Sequence, residues 1–132
     1  MEKHILHEKY SFRDMRELIK WAAVKYDGKN AYSFKSNLHK PDVTRITFNT
    51  LRDDVREMTT KLIDMGCSGK HCVVIGKLSY EWAVLYFSIL SANGVIVSFD
   101  RDWHGEELAK TANKADAAFL FCTRIFLIKQ RL

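Results

Sequence analysis

The sequence predicts an α/β protein, with a doubly wound, mostly parallel sheet and flanking helices. Two observations carry this prediction. After residue 66 the patterns alternate strand, helix, strand, helix and strand, and the connections are short enough for right-handed crossover units. The first of these strands, residues 72–76 ("CVVIG"), is almost continuously apolar, as expected where both faces of a parallel sheet are covered.

Length and composition indicate one folded domain. The chain has 132 residues, of which 47% are hydrophobic, and this is enough to bury a core. The net charge of +5 suggests an anionic partner, but residues 51–123 carry 8 basic and 10 acidic groups. Because aromatic and basic residues do not interleave on any one predicted element, we expect no nucleic-acid partner.

A first helix is predicted from Ser11 onward. Ser11 has the residue type of an N-cap, and Gly28 is expected to end the helix. The apolar residues between them recur at helical spacing: Phe12, Met15, Leu18, Ile19, Ala22 and Tyr26. This periodicity predicts one buried helix face.

Two short strands and a strongly amphipathic helix are predicted next. Residues 31–34 ("AYSF") and 45–48 ("RITF") are aromatic or β-branched and lie on either side of Pro41. The helix begins at Thr50, and Gly66 closes it. Its apolar stripe consists of Leu51, Val55, Met58, Leu62 and Met65.

Residues 82–99 ("WAVLYFSILSANGVIVSF") carry no formal charge, which raises the question of a membrane span. A span needs roughly 20 unbroken apolar residues. Here Asn93 and Gly94 form a stop signal within the segment, and Ser79 is placed to cap a helix before it. Residues 95–99 then predict the following strand. We therefore expect no membrane span.

The helix predicted at 80–92 is apolar on nearly every face. Its narrow polar strip consists of Glu81, Ser88 and Ser91. A surface helix of a small domain needs only one apolar stripe, so we expect this helix to pack against more polypeptide than these residues supply. A helix at 106–115 and a strand at 117–121 complete the pattern.

Two short segments partly resemble known catalytic or phosphate-binding motifs. Residues 66–71 ("GCSGKH") are not a phosphate loop, because that motif needs a glycine at the position of Asp64 and Ser or Thr at that of His71. Ser79 follows a strand and opens a helix, but "KLSYE" lacks both glycines of the nucleophile-elbow motif G-x-S-x-G. We interpret the first segment as a helix-to-strand turn and Ser79 as a helix cap.

The other titratable residues predict no site. The histidines lack metal-binding spacing: His4, His7, His39, His71 and His104. The cysteines indicate free thiols rather than a disulfide framework: Cys67, Cys72 and Cys122. The adjacent acidic pairs in first helical turns are interpreted as solvated surface: Asp53, Asp54, Glu106 and Glu107.

A resemblance to a known family emerges from groups of residues in a fixed order. "ITF" opens a helix, "MG" is followed by "VVI", and "SYEW" is followed by "NGVIV". These groups resemble the N-terminal part of the ATP-dependent acyl-adenylate-forming (AMP-binding) enzymes, especially the long-chain fatty acid CoA ligase type. The resemblance covers residues 10–123, between a tail at 1–9 and an unmatched basic and apolar tail at 124–132.

The resemblance implies a ligase by ancestry. Full-length members use ATP, Mg and CoA for acyl adenylation and then thioester formation, through a phosphate loop, acidic nucleotide contacts and a lysine of a mobile C-terminal domain. None of those motifs occurs in these residues, so no catalytic, cofactor-binding or metal-binding residue carries over. We expect a truncated or fragmentary relative, which binds no cofactor and is inactive alone.

Two departures from the family pattern suggest relaxed constraint. Leu78 stands where the family usually has Asn, and Ser98 and Phe99 stand where it usually has Pro. A second hypothesis is also kept: an isolated α/β interaction module that forms homo- or hetero-oligomers through the exposed apolar surface that the missing region would have covered. On the first hypothesis the partner is the remaining part of the enzyme.

The expected location is the cytoplasm. The N-terminal residues have no apolar core of signal-peptide length, and free thiols suit a reducing compartment.

Overall fold

The computed structural model describes residues 9–35, 37, 39–99, 102–103 and 105–122. Within these residues the elements follow the predicted order. Their bounds are α1 Met15–Lys25, β1 Asn30–Phe34, β2 Thr44–Thr47, α2 Phe48–Asp64, β3 His71–Ile75, α3 Tyr80–Ser91, β4 Val95–Phe99, α4 Gly105–Lys114 and β5 Ala117–Cys122.

The main sheet has three parallel strands in the order β4-β3-β5, and β1 and β2 form a separate antiparallel pair. Cys72 in the central strand lies opposite Ile96 on one side and Phe119 on the other. The crossovers β3-α3-β4 and β4-α4-β5 run in opposite directions along the sheet. Because such crossovers are right-handed, α3 and α4 flank opposite faces. The predicted doubly wound α/β fold is confirmed.

The core lies between α2, α3 and one face of the sheet. Its buried residues form one cluster: Leu62, Cys67, Cys72, Val74, Leu85, Ile89, Ala92 and Phe121. A second cluster joins α1 to α2 and α3: Ile19, Leu51, Val55 and Val84. α3 therefore packs against both clusters, whereas α4 contributes no buried residue.

The first helix begins later than predicted. Asp14, not Ser11, is the N-cap, and its Oδ1 accepts a hydrogen bond from the Glu17 amide at 2.9 Å. A carboxylate at this position also interacts favourably with the positive end of the helix dipole. The predicted cap at Ser11 is therefore wrong.

The second helix begins earlier than predicted. The Thr47 hydroxyl accepts from the Thr50 amide at 3.1 Å, so Phe48 belongs to the helix rather than to the preceding strand. At the other end, Met65 was predicted on the buried stripe but is the C-cap and is 37% exposed. Of the remaining stripe residues, Leu51, Val55 and Leu62 are buried as predicted, and Met58 is partly buried against the core.

The uncharged segment 82–99 folds as helix, stop and strand, as predicted. Asn93 supplies the left-handed conformation of the stop, with φ of 61°. Of the three polar residues named on α3, Glu81 is exposed, whereas Ser88 and Ser91 are buried, at 0% and 4% exposed. Among the described residues, no helix has the length and apolar character that crossing a membrane requires.

Candidate functional site at the carboxyl edge of the sheet

A crevice of about 680 Å³ opens at the carboxyl ends of β3 and β4. The connections that leave these neighbouring strands pass to opposite faces of the sheet, so the crevice is a topological switch point. Open α/β sheets bind their ligands at such points. The lining residues come from the loop after β3, from α3 and from the end of β4: Gly76, Lys77, Leu78, Trp82, Ser98, Phe99 and Asp102.

The crevice offers apolar contact and two charges. The Phe99 ring stacks on that of Trp103, with centroids 5.2 Å apart and planes 15° apart. Leu78 is 78% exposed beside them. Lys77 and Asp102 supply one charge of each sign, and the described lining contains no histidine, cysteine or second carboxylate. This set of groups can hold a ligand through apolar contact and charge.

Ser79, the candidate nucleophile beside this crevice, caps α3. Its Oγ accepts a hydrogen bond from the Trp82 amide at 3.3 Å. Glu81 lies in the first turn, where its charge suits the helix dipole. The interpretation of Ser79 as a cap is confirmed.

A second, smaller cavity of about 340 Å³ lies between α2, α3 and the end of β5. At its edge the Tyr80 hydroxyl donates to the Asp54 carboxylate at 2.6 Å. Burial, followed by the nearby Asp54 carboxylate, raises the pKa of Tyr80 well above its ordinary value of 10.0. The Tyr80 ring also contacts that of Tyr32, with centroids 5.3 Å apart. The pair therefore joins α2, α3 and β1.

Sequence analysis missed this pair, because Asp54 was assigned to solvated surface. Asp54 is half-buried and bonded to Tyr80, so that interpretation is wrong for it. It holds for Asp53, Glu106 and Glu107, which are exposed. Residues 54 and 80 lie 26 positions apart, and no local pattern links them.

The segment 66–71 forms the predicted helix-to-strand turn. The Gly69 amide donates to the Asn93 carbonyl at 2.9 Å, and the Lys70 amide donates to the Cys67 carbonyl at 3.0 Å. These amides are therefore bonded within the chain and do not form a phosphate cradle. The turn also precedes β3, at the opposite end of the strand from the crevice.

Within the described residues, the histidines and cysteines do not gather into a site. His39 is exposed, the His71 ring bonds to the Ala115 carbonyl, and His4, His7 and His104 lie outside the described residues. In the described part of the chain, no group of three or more metal-ligating side chains could hold an ion. Burial raises the pKa of the Cys72 thiol to about 12, which keeps it protonated and unreactive at neutral pH.

The parallel sheet, the helices on its two faces and the switch-point crevice define a doubly wound α/β unit of the kind that forms part of ligand-binding enzymes. Residues 19–131 match the family model of the AMP-binding enzymes. The chain therefore belongs to the AMP-binding enzyme family. A search of curated protein sequences found no match.

Many solved structures have a similar fold, among them the following three. The N-terminal subdomain of NpsA from Klebsiella oxytoca has a TM-score of 0.74 and 12% identity, over 89% of this chain and 29% of that chain. The inhibitor-bound N-terminal domain of FACL13 from Mycobacterium tuberculosis has a TM-score of 0.75 and 13% identity, over 84% and 27%. The fatty acid AMP ligase from Legionella pneumophila has a TM-score of 0.71 and 11% identity, over 85% and 20%.

This chain spans less than a third of the length of each of these proteins. At such identities the likeness establishes the fold alone.

Proposed function

We propose that this chain is the N-terminal α/β segment of a long-chain fatty acid CoA ligase-like enzyme, in which it supplies scaffold rather than catalytic groups. The observation that carries the proposal is the composition of the switch-point crevice. This is where a doubly wound fold places its ligand, and the described lining there offers mainly stacking and apolar contact, with a single lysine, Lys77, and a single carboxylate, Asp102.

Incomplete packing supports the scaffold role. Within the described residues, β4 and β5 each pair with β3 alone. Both strands lack charged side chains, whereas solvent-exposed sheet edges usually carry charges that prevent association. Uncharged, unpaired edges of this kind suit pairing with further polypeptide on either side.

On this proposal the 132-residue chain does not catalyse acyl adenylation on its own. That reaction needs ATP and Mg²⁺ held in line with a carboxylate, together with groups that stabilise the developing charge. The segment alone binds neither ATP, Mg²⁺ nor CoA, and it acts in the cytoplasm with the remaining part of the enzyme as its partner.

The fatty acid subtype is supported by the order of the "ITF", "SYEW" and "NGVIV" groups. It is tested by reading the genomic DNA downstream of codon 132 in all frames. We expect a Ser/Thr/Gly-rich phosphate-loop sequence, and the joined product should release pyrophosphate with long-chain fatty acids. The absence of such a sequence, or activity with amino acids only, would contradict the proposal.

Self-association through an exposed apolar surface is a second candidate. Leu78, which lines the crevice, is 78% exposed, and Trp103, which stacks on Phe99 of the lining, is 42% exposed. Light scattering over a concentration series tests it, because association should raise the average mass with concentration. A constant monomer mass would rule against this candidate and leave the scaffold proposal intact.

A further inference from the structure

The outer edge of β4 presents backbone hydrogen-bonding groups. Within the described residues this strand pairs with β3 alone, and the Val95 amide donates to the Lys70 carbonyl at 2.8 Å on the β3 side. Successive residues of a strand point their backbone groups in opposite directions, so those of Val97 and Phe99 also face β3. The N–H and C=O groups of Ile96 and Ser98 therefore point outward.

The side chains along this edge are uncharged. Val95, Val97 and Phe99 lie on one face of β4, and Val95 is 46% exposed. On the other face, Ile96 packs against the core cluster. Natural sheets protect free edges with charged side chains or proline, and β4 has neither. The edge is therefore open to pairing with another strand.

The neighbouring side of α3 is aromatic. Leu85 faces the core above the sheet, and Ser88 faces α2. Trp82 and Tyr86 lie one turn apart on the side away from α2, where both are half-buried and their rings stack with centroids 5.1 Å apart. Trp82 also lines the crevice together with Phe99. This side of α3 therefore extends above the outer edge of β4.

We propose that the β4 edge binds a second copy of this chain, so that two three-stranded sheets join across a two-fold axis. The two β4 strands run antiparallel, and the axis passes between the two copies of Val97. Ile96 of one copy then lies opposite Ser98 of the other, and each such pair exchanges two hydrogen bonds. The inference rests on the self-association candidate above and locates that association at β4.

The register centred on Val97 pairs all five residues of β4. Val95 of one copy meets Phe99 of the other, and pairs of β-branched and aromatic residues are favourable across antiparallel strands. A shift by one residue would place Ile96 opposite Val97, whose backbone groups are already directed to β3. The edge is therefore complementary to itself, as a two-fold interface requires.

The same symmetry brings the two α3 helices side by side on one face of the joined sheet. α3 packs over β3 and β4. Because paired strands lie about 4.8 Å apart, the axes of the two α3 helices come about 10 Å apart, a usual distance between packed helices. Trp82 and Tyr86 of the two copies then cover each other, which favours a second copy over an unrelated single strand.

Cysteine crosslinking of the full chain tests this register. Val97→Cys and Ser98→Cys are compared in a Cys122→Ser background, which removes the half-buried native thiol. Facing Cα atoms of a non-hydrogen-bonded pair lie about 4.5 Å apart, within the range of a disulfide. Under mild oxidation we expect Val97→Cys to form a covalent dimer. Ser98→Cys should stay largely uncrosslinked, because its thiol lies on the other face and does not face its own copy.

Sedimentation equilibrium measures the strength of the interface. Val95→Lys places a charge on the free edge opposite Phe99, and symmetry repeats the change, so we expect the dimer dissociation constant to rise about tenfold. The matched control is Val24→Lys on α1, the same substitution at a valine that is 77% exposed. It should leave the dissociation constant close to that of the unchanged chain.

Equal weakening by Val95→Lys and Val24→Lys would overturn the β4 interface. So would a dimer that does not crosslink at position 97, or one that crosslinks through native Cys122 at the end of β5. Either result would leave self-association through another surface. A chain that stays monomeric at every concentration would overturn both ideas. None of these results bears on the scaffold proposal, which the downstream DNA and pyrophosphate exchange test.

Discussion

At position 94 the surrounding atoms determine that the residue must be glycine. A side chain at this position would place its Cβ 3.0 Å from Ile89 Cγ2, 3.1 Å from the Ile89 carbonyl and 3.3 Å from the Cys67 carbonyl. Its amide donates to the Ile89 carbonyl at 2.9 Å. Asn93 supplies the left-handed turn, so glycine is needed here for close approach rather than for its φ angle.

Gly94→Ala should therefore lower the free energy of unfolding by about 1–3 kcal/mol, because two backbone carbonyls cannot move aside easily. Gly105→Ala is the matched control, since a Cβ there meets nothing within 4 Å. It should change stability by at most about 1 kcal/mol, in the stabilising direction. Urea unfolding measures both. A larger loss in Gly105→Ala than in Gly94→Ala would contradict this packing.

Asp14 links stability to pH. The Glu17 amide, and then Arg16, lower the pKa of this carboxyl below its ordinary value of 3.8. A carboxyl with a lowered folded-state pKa stabilises the fold above its ordinary pKa and loses that contribution as the pH falls through the folded value.

Asp14→Asn should retain a capping oxygen but lose this dependence. At neutral pH we expect a lower Tm for the variant than for the unchanged chain, and the difference should shrink as the pH falls below 3.8. Thermal unfolding over this range measures the difference in Tm between the two proteins. The contributions of the other carboxyls are the same in both proteins and therefore largely cancel. A difference that stays constant with pH would contradict the role assigned to Asp14.

At the scale of elements, the contact between α2 and α3 organises the molecule. The Ser88 hydroxyl bonds to the Val84 carbonyl at 2.6 Å and to the Val55 carbonyl at 3.2 Å, which allows a polar residue to be buried between the helices.

The order of elements and the stop at Asn93 were predictable, because local caps and periodicity encode them. The burial of Ser88 and the Tyr80–Asp54 pair were not, since they depend on long-range packing.

Neighbouring residues of α2 test which of its faces is buried. Leu62 is 1% exposed in the core, whereas Ile63 is 49% exposed. Leu62→Ala should lower the free energy of unfolding by about 2–5 kcal/mol through lost burial and a cavity. Ile63→Ala removes a similar side chain from the same helix and should cost much less. Similar losses in the two variants, measured by urea unfolding, would contradict the assigned face.

At the scale of the whole molecule, more of the fold than of the candidate site could be predicted from the sequence. Alternating patterns after residue 66 specify the parallel sheet, and its switch point follows from topology. The lining of the crevice does not follow from topology, because Leu78, Trp82 and Phe99 come from three elements. On the scaffold proposal, these residues shape one edge of the sheet and the reacting groups come from further polypeptide.

The most direct test of the scaffold proposal is fatty-acid-dependent exchange of pyrophosphate into ATP by the purified 132-residue chain. A full-length fatty acid CoA ligase serves as the positive control, and a mock purification measures contaminating ligase. We predict exchange no higher than in the mock sample at any fatty acid chain length. Exchange that coelutes with the chain, exceeds the mock sample and depends on added fatty acid would contradict the account.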